Sequence, residues 1–251
     1  MPADAALASF YPETYHSMQA DGLLVRMRND VRWKRLASLG AGDGPLLDYG
    51  CGEGQFLAHV ARRNPTIRLF GYEISAQREV VEREHGRLTI VRGDVADLLD
   101  VLPPCSLITM NHVIEHLPDP VATVSRLVAR LRPGGVFEGQ TPAAGSLEHR
   151  VFGTRWSGYH APRHTVVFSA NGLQTALLRS GLEEPHVRGA FNPAGLALSL
   201  ASLRHDDAPS VLQREGASWL VWLGLASGLS VFDRISGSPA VVDFHARKAA
   251  A

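Results

Sequence analysis

Leu46-Leu47-Asp48-Tyr49-Gly50-Cys51-Gly52-Glu53-Gly54-Gln55-Phe56 decides how the rest of this 251-residue chain is read. A short apolar strand pattern runs into three alternating glycines and then into a helical pattern. The glycines allow the backbone to approach a ligand closely, and the start of the following helix presents N–H groups to an anion. A G-x-G-x-x-G dinucleotide turn would need glycine at position 55, where this chain has Gln55. Asp48 also precedes the first glycine by two positions, and a carboxylate there suits a ligand with positive charge rather than a pyrophosphate.

Outward from this loop, short apolar runs alternate with helical spacing, the pattern of a parallel sheet covered by helices. The spacing predicts strands at Leu46 to Tyr49, Arg68 to Tyr72, Leu88 to Arg92, Leu107 to Met110 and Val136 to Gln140. It predicts helices at Gln55 to Arg63, Ala76 to His85 and Val121 to Leu131, the last stopped by Arg132-Pro133-Gly134-Gly135. An earlier helix, over about residues 22–39, is expected to lay Leu24, Met27, Val31 and Leu39 against the sheet. Beyond Gln140 come a loop rich in Gly, His and aromatics (Thr141 to His164) and a helix at Asn171 to Ser180. Closing strands follow at Leu182 to Gly189 and Ala240 to Ala246, around an apolar insertion at 191–239.

Two further acids end strands beside the glycine loop. Glu73 closes Phe70-Gly71-Tyr72-Glu73, about 20 residues after the glycines, where a carboxylate accepts from both ribose hydroxyls. Asp94, in Arg92-Gly93-Asp94-Val95, stands where it can accept from an adenine amino group. Together the three acids outline an adenosine with a cationic, zwitterionic tail.

The segments DYGCGEG (48–54), GYE (71–73), GDV (93–95), MNHVIEHLPDP (110–120) and LRPGG (131–135) lie in one order and register. On these the chain resembles the class I S-adenosylmethionine-dependent methyltransferases over roughly residues 40–185. The stretch W-x-G-Y-H-A-P-R-H-T-V-V-F-S (156–169) is similar to a narrower bacterial subgroup related to the ubiquinone-type enzymes, which act on small molecules, lipids or glycan precursors. The resemblance implies a Rossmann-like, doubly wound, mostly parallel seven-stranded α/β sheet with an apolar helical insertion before the last strand. It implies one domain: a helical cap at 1–40, a cofactor-binding core at 41–190, the insertion at 191–239 and a closing strand and tail at 240–251. It further implies S-adenosylmethionine as cofactor, held by Asp48, Gly50, Cys51, Gly52, Gly54, Glu73, Ile74, Asp94, Val95 and Asn111.

Methyl transfer from a sulfonium needs an aligned nucleophile, exclusion of water and, for a hydroxyl or amine acceptor, removal of a proton. His112, after the fourth parallel strand, and His164, after the fifth, are the candidate catalytic groups, because imidazole titrates near neutrality. His112-x-x-Glu115-His116 also has the spacing of an inverted zinc-protease motif, but Pro118 and Pro120 interrupt the helix that such a site needs. Some relatives bind a divalent cation through an acid, Glu, His and a distant His; His112 stands in the acid's place here, and no metal ligand set is assigned. Glu115 and His116 are expected to hold the loop at the start of the following helix. Trp156, Tyr159 and His160 are candidates for the acceptor-pocket wall, and the aromatics of Tyr11 to His16 for a cover over the cofactor. Arg26, Arg28, Arg32, Lys34 and Arg35 are expected on a solvated helix face.

The charge balance excludes some classes. Twenty-five basic residues offset 25 acidic ones, without the excess that carries sequence-independent nucleic-acid binding. Asn111-His112-Val113-Ile114 also lacks the Asn/Asp-Pro-Pro-aromatic signature of amino-directed DNA methyltransferases, so the expected partner is a small-molecule or lipid-linked acceptor and not a nucleic acid. A non-catalytic cofactor-binding scaffold is the alternative from another class. Cys51 and Cys105 alone cannot form a disulfide framework, and the first ten residues lack the basic start of a signal peptide, which together suggest the cytoplasm. Gly216 to Phe232 is uncharged; as a helix it would span about 26 Å, short of a hydrocarbon core of roughly 30 Å. Packing of Trp219, Leu220, Leu223 and Val231 against the sheet or a second subunit is the expectation, and contact with a membrane surface the alternative.

Overall fold

The computed structural model describes residues 23–75, 77–160, 163–201, 203, 218–235 and 237–250. Tyr11 to His16, Ala76, Pro162, Gly216 and Ala217 lie outside them, as do the side chains of Leu24, Trp219, Leu220 and Trp222. One sheet is built from β1 (Leu46–Tyr49), β2 (Leu69–Glu73), β3 (Glu79–Arg83), β4 (Leu88–Arg92), β5 (Cys105–Asn111), β6 (Leu131–Pro142), β7 (Leu182–Gly189) and β8 (Val241–Lys248). Its order is β3-β4-β2-β1-β5-β6-β8-β7. The run from β4 to β6 is parallel, while β3 and β8 pair antiparallel with their neighbours. The chain moves from β1 outward to β2 and returns to β5 on the other side, so the C-terminal ends of β1 and β5 flank the crevice where open α/β sheets bind ligands.

The helices are α1 (Leu23–Ser38), α2 (Gln55–Arg63), α3 (Val95–Val101), α4 (Pro120–Ala129), α5 (Leu147–Phe152), α6 (Ala170–Arg179), α7 (Pro193–Ala201) and α8 (Ser218–Ile235). Strand alternation divides the core between the two faces of the sheet. Leu46, Leu69, Leu88 and Leu107 pack with Leu57 and Val60 of α2 and Leu36 of α1. Leu47, Phe70, Ile108 and Phe137 point the other way, toward Val124 and Leu127 of α4 and Leu173 and Leu177 of α6. Asp94, Asp119, Ser146 and Ser169 cap α3, α4, α5 and α6 by accepting from backbone N–H groups in their first turns.

Three expectations are corrected. Ala76 to His85 does not form a helix: Glu79–Arg83 is β3, an edge strand that adds an eighth strand to the seven expected. Val80 and Val81 are adjacent, β-branched and not spaced for a helical stripe, and Glu84 and His85 both adopt positive φ in the turn to β4 (52° and 57°). The strand at Val136 starts earlier, at Leu131, because Leu131 already pairs with Cys105 before the register shift. α1 forms as expected, but Met27 and Val31 are exposed, and Asn29 and Leu36 are buried instead. The basic run likewise divides: Arg32 and Arg35 turn toward acids on the sheet, while Arg28 and Lys34 are exposed.

The insertion forms a helical pair, with Leu196 and Ala197 of α7 packed on Ala226 of α8 beside Phe152. Among the described side chains of α8, Val221, Leu225, Leu229 and Phe232 are 64, 58, 54 and 59% exposed, and Val231, expected to pack, also faces outward. No helix among the described residues is long and apolar enough to cross a membrane. Beneath α7, the buried Glu148 carboxylate accepts from Ser199 Oγ at 3.4 Å, and burial together with the charge of Asp233 pushes its pKa up to about 7. A carboxyl raised in the folded state is unfavourable once ionised, so it subtracts stability as pH rises from about 4.5 through 7. Glu148→Gln should therefore raise stability at pH 8 by about 1–3 kcal/mol and leave it nearly unchanged at pH 4.5, as read from denaturant titrations at both pH values.

Candidate active site

At the end of β1 the backbone turns sharply. Gly50 has φ 82°, and a Cβ there would stand 2.2 Å from Val113 Cγ2, so glycine is required both for conformation and for space. Gly52 has φ 55° and open space where a Cβ would project, which leaves its backbone accessible to a ligand. The Gly50 and Cys51 amides donate to the Tyr72 carbonyl at 2.8 and 2.9 Å, fastening the loop to β2. Glu73 Oε2 accepts from Gly52 N–H at 2.7 Å, which holds this carboxylate over the loop. Ile74, 65% exposed, follows it as an apolar step at the mouth of the crevice. Cys51 is no nucleophile, because burial and the negative charges of Asp48 and Glu73 push its thiol pKa far up.

Asp48 is 5% exposed and pairs with groups that the sequence reading did not single out. Its Oδ1 accepts from Thr109 Oγ1 of β5 and from Arg32 Nη2 of α1, the latter at 3.1 Å. The Arg32 guanidinium lies 3.7 Å from the centre of the Phe56 ring, and its Nη2 also donates to Thr109 Oγ1 at 3.1 Å. Asp48, Thr109 and Glu138 occupy one register row across β1, β5 and β6, with Asn111, Gln140 and Asp243 in the next row of β5, β6 and β8. Arg35 pairs with Glu138 and, at 3.1 Å, with Asp243. Asp94 accepts from Ala96 N–H as the α3 cap and pairs with Arg78, and it is exposed with Val95 beside it.

The two candidate histidines flank a third group. His112 has a left-handed backbone (φ 52°), stabilised by its N–H donating to the Gln140 carbonyl at 2.7 Å. Gln140 Nε2 donates to Asp243, so its Oε1 faces His112 Nε2 at 2.8 Å, and that nitrogen must carry a proton. His112 Nδ1 stands 3.5 Å from Glu115 Oε1. Desolvation opposes charge on His112, but Glu115 and Gln140 outweigh it and raise the pKa above the ordinary value. His164 has the opposite character: Nδ1 donates to the Gly158 carbonyl at 2.7 Å, which fixes Nε2 as the acceptor nitrogen, and desolvation lowers its pKa.

Between them, Glu115 is fully buried, accepts from Thr141 Oγ1 at 3.0 Å, and by its carbonyl receives the Thr165 and Val166 amides. That pairing carries the loop after β6 back to the end of β5 and brings His164 to within 4.6 Å, ring to ring, of His116. His116 Nδ1 donates to the Arg163 carbonyl at 3.0 Å, so it too presents Nε2 as acceptor. Glu115, His116 and His164 thus offer three ligand atoms within 4.8 Å of one another, with Glu115 Oε1 buried and without a hydrogen-bond donor. The expected helix-capping role of this pair is not what the structure shows, because Asp119 caps α4. Trp156 is buried in a ring cluster with His149 and Tyr159, while Tyr159 and His160 lie toward the surface.

A loop open at Gly52, an acid held over that loop, and a buried acid at the end of β1 fit an adenosine ligand with a cationic tail. Residues 26–186 match the family model described as a methyltransferase domain, and the chain belongs to the class I S-adenosylmethionine-dependent methyltransferases. It is 35% identical over 175 residues to a probable S-adenosylmethionine-dependent methyltransferase of Mycolicibacterium smegmatis, covering 68% of this chain and 63% of that protein. It is 28% identical over 144 residues to the trans-aconitate 2-methyltransferase of Sinorhizobium medicae, covering 53% and 55%. The chain therefore spans less than two thirds of the length of these relatives. The fold matches that of a SAM-dependent methyltransferase from Archaeoglobus fulgidus with a TM-score of 0.55, 20% identity, and 89% and 94% of the two chains covered. Asp48→Ala and Glu73→Ala should each weaken S-adenosylhomocysteine binding by about 1–3 kcal/mol, about 5- to 150-fold, while calorimetric stoichiometry stays at about one per chain. Unchanged affinity in both variants would remove these acids from the site.

Proposed function

We propose that this protein transfers a methyl group from S-adenosylmethionine to a small-molecule acceptor bound between the end of β5 and the loop that follows β6. The observation that carries the reading is the juxtaposition of the glycine loop, with Glu73 held over Gly52, and the Glu115, His116 and His164 cluster at the same edge of the sheet. The relative named for trans-aconitate acts on a small carboxylate, which supports a small-molecule acceptor. The crevice supports a cofactor held by Asp48, Gly50, Cys51, Gly52, Gly54, Glu73, Ile74, Asp94, Val95 and Asn111.

When bound, S-adenosylmethionine supplies an electrophilic methyl on a sulfonium. What remains for the chain is alignment, desolvation and proton removal. His164 suits the base, since its Nε2 is an acceptor and its lowered pKa keeps it neutral at pH 7. His112 suits a cation that orients an electron-rich acceptor, since Gln140 and Glu115 favour protonation of both nitrogens. His164→Ala should lower kcat by about 10²-fold with little change in S-adenosylhomocysteine affinity, whereas His112→Ala should raise the acceptor KM more than it lowers kcat. Activity should fall on the acid side, below the ordinary imidazole range, as His164 is protonated, and on the alkaline side, above that range, as His112 loses its charge.

A second reading has its own observation. Both His116 and His164 give their Nδ1 protons to backbone carbonyls and turn Nε2 toward a buried carboxylate, the arrangement of a divalent-cation site with its supporting hydrogen bonds. A cation held there would act as a Lewis acid toward an acceptor oxygen. Exhaustive chelation that abolishes transfer, with recovery on adding a divalent ion, would establish this reading over the base. The acceptor itself is found by following labelled methyl groups from S-adenosylmethionine into fractionated cell extract; absence of transfer into any fraction, with cofactor binding intact, would favour a scaffold. Liposome flotation tests a lipid-linked acceptor. The wild type should stay soluble, and flotation that Leu225→Ser plus Leu229→Ser abolishes would move the acceptor to a membrane surface.

A further inference from the structure

α8 turns its polar side inward. Ala226, Ser230 and Asp233 are buried; Ser230 Oγ accepts from the Asn192 amide at 3.0 Å and Asp233 Oδ2 from the Ala240 amide at 2.8 Å, while Ala226 packs on α7. The opposite side carries Val221, Leu225, Leu229, Val231 and Phe232, all more than half exposed. Gly224 and Gly228 stand two residues to either side of Ala226, hence on that outward side at 3.6 residues per turn, and both have open space where a Cβ would project. Val221, Leu225 and Leu229 form one row at i, i+4 spacing, and Gly224 and Gly228 form the next, which ends at Phe232. The outward side is therefore an apolar ridge beside a furrow. A contiguous apolar surface of this kind marks a place where something binds.

We propose that α8 of a second copy of this chain covers the face, the ridge of each helix seated in the furrow of the other across a twofold axis. Rows four residues apart interdigitate when two helices cross at about −50°, and small residues let the two backbones approach closely. A helix that carries both ridge and furrow is complementary to itself. That is the requirement of a twofold interface, in which one patch serves both copies and the contact closes at two. The five exposed side chains offer roughly 100 Å² each, about 500 Å² per copy and about 1,000 Å² for the pair, the lower limit of a specific interface. An interface of that size gives a concentration-dependent dimer rather than a permanent one. A lipid surface suits the face less well, because acyl chains gain nothing from a furrow kept open by two glycines, and Gly216 to Phe232 holds no Lys or Arg to meet anionic headgroups. α8 packs on α7 and on β7 at the sheet edge, so the crevice at the end of β1 stays open in both copies.

Sedimentation equilibrium of the full chain between about 1 and 100 µM tests this, and the wild type should move from one chain toward two across that range. Gly228→Leu should raise the midpoint concentration at least about 10-fold. The substitution adds apolar area and helix propensity at an open position, so general stickiness would strengthen association where a filled furrow weakens it. Leu225→Ser plus Leu229→Ser removes the ridge and should weaken association as well. Should Gly228→Leu prove unfolded by its thermal melt, the ridge variant decides. A wild type that stays single at the highest concentration or grows beyond two overturns the proposal. So does a dimer that Gly228→Leu leaves unchanged or strengthens, or one that the ridge variant leaves intact. Flotation of the wild type with vesicles of phosphatidylcholine and phosphatidylglycerol also overturns it, and gives the face to lipid.

Discussion

Buried negative charge at the C-terminal end of the sheet constrains everything around it. Asp48 and Glu138 sit in one register row across β1, β5 and β6, at 5 and 0% exposure. Carboxylates so placed must be paired or neutralised. Burial lifts the pKa of Glu138, and Arg32 and Arg35 work against that rise. Both arginines come from α1, so their ion pairs join the packing of Leu36 in fixing the helix in rotation and height. This explains why Met27 and Val31 are left outside. It also explains why α1 lies over the crevice: the charges it answers are those that a cationic tail would meet.

The same logic separates the two histidines. His112 is surrounded by groups that demand protons, through a chain that runs from Asp243 to Gln140 to His112 to Glu115. His164 and His116 are oriented by backbone carbonyls, which accept one proton each and leave the second nitrogen basic. Three imidazoles around one carboxylate thus differ in how readily they protonate without any change in residue type. The hydrogen-bond partner on the far side of each ring sets its chemistry.

Much of this was legible in the sequence where the signal is local. The glycine loop, the strands at Leu46, Leu88 and Leu182, and the helix at Gln55 depend on turn residues and periodicity within a short window, and their bounds hold to within a residue or two. β3 was not legible, because Glu79–Arg83 has only two apolar residues and is an edge strand determined by pairing with β4. Nor was the role of Arg32, which depends on which β5 side chain shares a row with Asp48; that register exists only after β1 has paired with β5. Glu115, His116 and His164 were each visible, but 48 positions separate His116 from His164, and their convergence follows from the amides of Thr165 and Val166 reaching the Glu115 carbonyl.

The insertion completes the division of labour. Ser157 on the acceptor-side loop donates from its backbone to Ser199 Oγ and from its hydroxyl to the Gly195 carbonyl, and Ser199 also contacts Glu148. α7 thus braces the loop that carries Trp156 and, a few residues on, His164. α7 lies beyond the segment that matches the family model and supports the loop after β6 from outside it. The cofactor half is fixed by buried charge and backbone geometry, which tolerate little change. The acceptor half rests on a few hydroxyl contacts and a small apolar cluster of Leu196, Ala197 and Ala226, each of which can be altered without disturbing Asp48 or Glu73. A fold arranged in this way keeps the two parts mechanically separate, so α7 and α8 can be rebuilt without moving the glycine loop or its acids.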